Sequence, residues 1–412
     1  MNVRDCAAPG GRRGSAPLSG LGQFRGRIAV LGGVIVMLLA GGSWVALAHA
    51  SAKSTSAHTT AQPGHAKAKA KGKAQSAAAL TVLTTTPAQH QQGVNGAAPI
   101  QVQFSAPLAD GSPMPTITPD VPGTWQRTGH GTVQFVPAQG FPAGTFVQVH
   151  IPGGATGIRA KGGGQLAASA IMYFHTGSYS TARLPELLAQ LGYLPLTWAP
   201  TAGQATPALG DAAAQLAAAY TAPAGTFTWQ PGYPPGLQDF WDNGSPDGLI
   251  VHGAVMAFES DAGLTMDGQA GPAVWKALLA AADASKTNTH GYTYAVASQH
   301  DPETLTVYHD GKVILHTPAN TGIPAAPTTV GTAPVYLRYL NQIMKGTNPD
   351  GTKYADPVSY VAYFRAGEAV HYFPRGSYGF QQSLGCVELP YNTAKYIWPY
   401  LTYGTLVTVT PE

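Results

Sequence analysis

Glycine and proline punctuate this chain in step with short alternating runs. Of 412 residues, 50 are Gly and 34 are Pro. Beyond residue 80, apolar and polar residues alternate in segments such as PIQVQFSAPL, TLTVYHDGKV and SYVAYF, and Gly/Pro turns cut the segments apart. Period-two alternation puts every second side chain on one face of a sheet, and turns this frequent argue against a helical bundle. The chain is therefore expected to be mainly β, and its length calls for several domains.

The first 80 residues differ. They carry ten Lys/Arg against one acid, whereas the remainder carries 13 against 19. The folded part is mildly acidic, so the overall charge of +3 is no argument for nucleic acid. Ile28–Ala48 is an uncharged apolar run preceded by Arg12, Arg13, Arg25 and Arg27. Its length suits a membrane-spanning helix, and the flanking charge places the N-terminus in the cytoplasm. Residues 1–27 are read as a basic cytoplasmic segment, 28–50 as a transmembrane anchor and 51–80 as a disordered Ala/Ser/Thr/Lys linker. Cleavage after ALAHA is the alternative and would send the chain to the wall as a secreted protein. Either way the bulk is exported to the cell envelope. Of two cysteines, Cys6 then stays behind and Cys386 is the one exported thiol. A lone thiol in an oxidising compartment is a liability unless it works.

Residues 81–178 read as short strands of a sandwich, with His130 and His150 standing singly and without metal-ligand spacing. TTTPAQHQQGVNGAAPIQVQFSAPL and VQFVPAQGFPAGTFVQVHI resemble bacterial Ig-like domains, which implies a spacer. Residues 179–283 read as a small helical domain. An amphipathic helix over 181–196 is expected to end at Gly192. Val251, Val255, Met256 and Phe258 mark one further helix, and Val274, Trp275, Leu278 and Leu279 another. AVMAFESDAGLTMDGQAGPAVWKAL resembles the peptidoglycan-binding domain of wall-targeted enzymes, with 197–248 as a Pro/Gly/Trp-rich insertion. A purely structural role is the other reading of this segment.

Residues 284–412 form the last domain, mostly β, with Asp310-Gly311 as a hairpin turn and one helix at 391–401. Tyr396, Ile397 and Trp398 of that helix are read as core, and MKGTNPDGTKYADPVS (344–359) as a loop able to cover a site, with Tyr354 in it. Cys386 falls on a loop before the helix. A cysteine nucleophile needs a base, something to orient that base, and N–H donors for an oxyanion. His371 lies fifteen residues upstream, at a strand end, and the intervening PRGSYGFQQSLG contains the glycines needed to fold back. His290, His300, His309 and His316 have no such thiol neighbour in sequence. The alternative for Cys386 is a buried small hydrophobe.

His371 followed by Ser383, Gly385, Cys386 and Val387 resembles the signature of the L,D-transpeptidase catalytic domain (the YkuD family). LTVYHDGKVILHTPANTGIPAAPTTVGTAPV resembles that family's opening hairpin and strand–turn. The resemblance implies a two-step acyl transfer between peptidoglycan stem peptides, with Cys386 as nucleophile and His371 as base. It implies the Tyr372 carbonyl as orienter and the N–H groups of Gly385 and Cys386 as oxyanion donors. Ser383 is expected to bond within the loop. No cofactor or metal is implied. Arg375 and Tyr378 are expected to hold a substrate carboxylate, with a solvated arginine as the competing reading. Two residues depart from the pattern: Leu384, where His is common, and Glu388, where Arg or Asn is usual. An inward Glu388 carboxylate would oppose a thiolate, so it is expected to point away. Hydrolysis with water as acceptor (an L,D-carboxypeptidase) and a non-enzymatic wall-binding protein are the alternatives.

Overall fold

A computed structural model describes residues 78–411. The basic segment, the anchor and nearly all of the linker lie outside the described residues. Among the described residues no helix is long and apolar enough to cross a membrane.

The first domain is a seven-stranded sandwich. Its strands are β1 (Val82–Thr86), β2 (Ile100–Phe104), β3 (Thr116–Thr118), β4 (Gly123–Arg127), β5 (Thr132–Pro137), β6 (Phe146–Ile151) and β7 (Ala170–His175). One sheet runs β1-β2-β5-β4 and the other β3-β6-β7. Alternation builds the core: Ile100, Val102 and Phe104 of β2 meet Val147, Val149 and Ile151 of β6, while Gln101 and Gln103 are exposed.

The helical segment holds α1 (Arg183–Gln190), β8 (Leu196–Pro200), α2 (Ala212–Tyr220), β9 (Gly225–Trp229), α3 (Pro235–Gln238), α4 (Leu249–Ala262) and α5 (Pro272–Asp283). Helix α1 is shorter than the 181–196 span expected. Gly192 N–H donates to Ala189 O and Tyr193 N–H to Leu188 O, which closes the helix before Leu196 enters β8. Residues 197–248 are not a loose excursion. β8 and β9 pair as a ribbon with Trp198 opposite Phe227 and Leu196 opposite Trp229, and the Trp241 ring stands edge-on to both Phe227 and Trp229.

The last domain contains β10 (Thr293–Ser298), β11 (Thr304–His309), β12 (Lys312–Pro318), β13 (Gly331–Pro334), β14 (Leu337–Thr347), β15 (Lys353–Arg365), β16 (Glu368–Tyr372), β17 (Val387–Leu389), α6 (Tyr391–Ile397) and β18 (Leu406–Thr410). A five-stranded sheet (β12-β11-β10-β18-β13) faces a four-stranded one (β14-β15-β16-β17). Between them lie Ala295, Leu305, Val307, Val407, Phe364, Val370, Val387 and Leu389, capped by Ile397 of α6. The alternate residues of the first sheet, Tyr294 and Leu406, point the other way, into one core with Ile250, Ala254 and Leu278 of the helical segment. Helices, sheet and sheet thus form three packed layers. The outer face of the four-stranded sheet remains, and the cysteine lies there.

One expectation fails. Residues 344–359 are not a loop but most of a β-hairpin, in which Met344 pairs with Asp356 and Gly346 with Tyr354. The turn proper is only Asn348–Thr352, closed by Asn348 N–H to Thr352 O and by the Asp350 carboxylate on Thr352.

Candidate active site

The site is set by the parallel pairing of β16 and β17, in which Val370 stands beside Val387, His371 beside Glu388 and Tyr372 beside Leu389. Val370, Val387 and Leu389 enter the inter-sheet core. Alternation then turns His371, Glu388 and Cys386 to the opposite face. Ala369 and Cys386 indeed pack there with Met344, Val358, Val361 and Tyr363 of the hairpin. An imidazole on β16 and a thiol just before β17, fifteen residues apart in sequence, come to the same face because the loop over 373–386 folds back.

His371 is 3% exposed, and its Nδ1 lies 2.9 Å from the Tyr372 carbonyl oxygen. That oxygen only accepts, so Nδ1 must carry the proton and Nε2 the lone pair. Burial pushes the imidazole below its ordinary pKa, more than the Tyr372 bond and Glu388 raise it, and Arg375 lowers it further. The ring is held neutral, in the tautomer a base requires.

Cys386 is 6% exposed, and its Sγ–H points to the Gly367 carbonyl at 3.8 Å. Gly385 before it takes φ +111°, a conformation that L side chains rarely adopt. Ser383 braces this bend with one hydroxyl, which donates to Cys386 O (2.6 Å) and accepts from Gly385 N–H (3.1 Å). The Gly385 N–H is therefore occupied by Ser383, and an oxyanion can use it only by displacing that bond. The segment 320–323 flanks β17 on its other edge. Asn320 and Glu388 exchange both backbone bonds, and Ser383 N–H donates to Thr321 O.

Glu388 does not point away. It is 4% exposed on the His371 face, and Arg375 grips it bidentately through Nε (2.7 Å) and Nη2 (2.8 Å). The expected carboxylate-binding arginine thus spends its fork on Glu388 and on Gln382 O (3.0 Å). Tyr378 likewise turns inward, donating to Phe373 O at 2.7 Å and accepting from Arg375 N–H at 3.3 Å, so it closes the loop rather than facing a ligand. Tyr354 is half-buried on β15, at the edge of the cluster containing Cys386. Leu384 is half-buried.

Several polar residues of the site left no signal in the sequence. Glu303, 1% exposed, receives both Thr321 N–H and Thr321 Oγ1. Asn320, 0% exposed, accepts from Gly379 N–H and donates toward Glu388 Oε2 at 3.4 Å. Glu368 takes Thr329 N–H and Oγ1 on one oxygen. These pairs join positions far apart in the chain and belong to no motif. Among the described residues no group of three or more His, Cys, Asp or Glu gathers as metal ligands.

Two family models match. The L,D-transpeptidase catalytic domain covers residues 292–409, and the bacterial Ig-like domain covers 76–176. No curated protein matches. Among solved structures, the catalytic domain of an E. faecium L,D-transpeptidase is 30% identical over 30% of this chain and 100% of that one, with a TM-score of 0.27. L,D-transpeptidase 3 from Mycobacterium tuberculosis is 17% identical over 80% of this chain and 98% of that one, with a TM-score of 0.27. An L,D-transpeptidase from Mycobacterium smegmatis is 16% identical over 81% and 100%, with a TM-score of 0.27. His371, Ser383, Gly385 and Cys386 all lie inside the catalytic-domain match, and the chain belongs to the L,D-transpeptidase family.

Proposed function

We propose that this protein cross-links peptidoglycan stem peptides through a thioester on Cys386. The observation that carries the reading is the shared face of Cys386 and a neutral His371 whose Nε2 is the basic nitrogen. His371 takes the thiol proton, and the sulfur attacks the carbonyl next to a terminal D-Ala. The S–C bond forms, the C–N bond breaks, and the proton leaves with the D-Ala amine. The side-chain amine of a second stem then attacks the thioester, loses a proton to His371 and frees the thiol. The Cys386 N–H, with the Gly385 N–H once Ser383 releases it, serves as oxyanion donor. In this reading the wall polymer lies outside the membrane, 28–50 anchors the chain, and the helical segment and Ig-like domain carry the catalytic domain toward its substrate.

The test is incubation with tetrapeptide muropeptides, read by mass spectrometry. A Cys386 acyl adduct that has lost D-Ala, followed by cross-linked dimers, is expected. Tripeptides without dimers assign water as the acceptor. Absence of any adduct, with Cys386→Ala indistinguishable from the unaltered protein, removes the enzymatic reading.

A further inference from the structure

Glu388 has no part in the acyl-transfer steps, yet it lies buried on the reacting face beside His371 and two residues from Cys386. A bare carboxylate there would oppose a thiolate and hold a proton on the imidazole. Both of its oxygens are taken by Arg375, Oε2 by Nε at 2.7 Å and Oε1 by Nη2 at 2.8 Å. The same Nη2 donates to Gln382 O at 3.0 Å. Arg375 sits near the start of the loop over 373–386 and Gln382 near its end, so one guanidinium ties the two arms of the loop that carries the nucleophile. Its face also lies over the Phe373 ring, 4.7 Å from the centroid. Glu388 and Arg375 act on His371 in opposite directions.

We propose that Arg375 and Glu388 work as one neutral clamp. Glu388 orients the Arg375 fork, Arg375 closes the nucleophile loop, and each cancels the other's charge at the Cys386–His371 face. The pair are positioning residues, and the clamp rests on the reading of Cys386 as nucleophile. The other charged or titratable groups around this face are present in every variant of the clamp. Glu368 stands behind Gly385 and is held by Thr329. Glu303 is held by Thr321 on the 320–323 side. Asp356 of β15 acts on Arg375, while Tyr372 and Tyr378 flank the loop. Tyr336, Tyr339, Tyr354 and Tyr363 come from the hairpin and the segment just before it.

The test is alkylation of Cys386 by iodoacetamide at pH 7 in the full chain, with the adduct located by peptide mass spectrometry so that Cys6 is scored separately. Arg375→Met leaves Glu388 uncompensated and slows alkylation by about threefold or more, whereas Glu388→Gln leaves the cation and speeds it by about threefold or more. The double variant returns to within about twofold of the unaltered rate, since both charges are gone. Two single variants that shift in the same direction, or neither shifting, overturn the clamp. Should Arg375→Met fail to fold, Arg375→Lys keeps the charge and loses the fork. It should then alkylate at the original rate while forming the muropeptide acyl-enzyme more slowly, and unchanged acylation overturns the proposal. Opposite alkylation shifts in a protein that never acylates would remove the acyl-transfer function and leave the clamp standing.

Discussion

His371 owes its charge state to where its strand ends. Burial lowers its pKa from the ordinary value near 6.5, and the bond to Tyr372 O recovers only part of the loss. A base must be unprotonated, so the acid limb of kcat/KM is expected to have its midpoint below about 6.5. A limb at or above that value would mean that the site opens in solution or that another group is the base. The stability sign is the same. The unfolded chain binds the His371 proton more readily than the folded one, so the fold loses stability as pH falls below about 6.5. At this scale the sequence announces what acts locally. His371, Ser383, Gly385 and Cys386 were legible because their spacing is a motif. The clamp was not, because Arg375 and Glu388 belong to no such motif, and Asn320 reaches Glu388 across 68 residues. Tested one at a time, Glu388 looked like a hazard and Arg375 like a ligand-binding cation. Each is explained only by the other.

The hairpin of β14 and β15 shows what composition hides in an element. Gly346, Asn348, Pro349, Asp350, Gly351 and Pro357 all argue for a loop by residue type. Four of them do lie in the turn, and the pairing overrides only Gly346 and Pro357. Pro357 lies beyond the residues of β15 that pair with β16, so the missing N–H costs no bond on that side. Gly346 faces Tyr354 across the ladder, and a Cβ there would lie 2.4 Å from the Tyr354 hydroxyl oxygen and 2.5 Å from Cζ. The glycine leaves the space in which the ring lies beside the cluster holding Cys386. Gly346→Val suits a strand by propensity but displaces the ring. The expected result is a KM raised about fivefold, kcat within about twofold, and unchanged iodoacetamide reactivity of Cys386. A fall in kcat at constant KM would instead tie the hairpin to the chemical step.

At the scale of the molecule, the question is which parts fold together. Periodicity identified the helices and the strands but treated the helical segment and the catalytic sheets as separate domains. It could do so because a strand buried on both faces is expected to read as a near-continuous apolar run, and LVTVT of β18, though buried on both faces, is broken by two threonines. Tyr294 and Leu406 join the helical core while Ala295 and Val407 join the catalytic one, so a single strand pair serves both. One close approach is between Gly253 in α4 and Gly404 before β18. A Cβ on Gly253 would lie 2.6 Å from Gly404 O, and one on Gly404 would lie 2.0 Å from Gly253 O. In an isolated helix, Gly253→Ala would stabilise by about 1 kcal/mol. Here the added carbon meets backbone that cannot rotate aside, and overpacking of this kind costs about 1–3 kcal/mol. The clash should win, because relieving it requires the helix to move off β18 and to part the shared core. The sandwich of β1 to β7 has a core of its own. Calorimetry should then resolve two transitions, one for the sandwich and one for helices and catalytic sheets together. Gly253→Ala should lower only the second, by about 2–4 °C for each kcal/mol of net destabilisation. Cys386 reactivity should vanish or be unmasked at that same transition, although Cys386 lies on the far side of both sheets from α4. If the helices melt first and leave the thiol's reactivity unchanged, the two segments are independent domains after all.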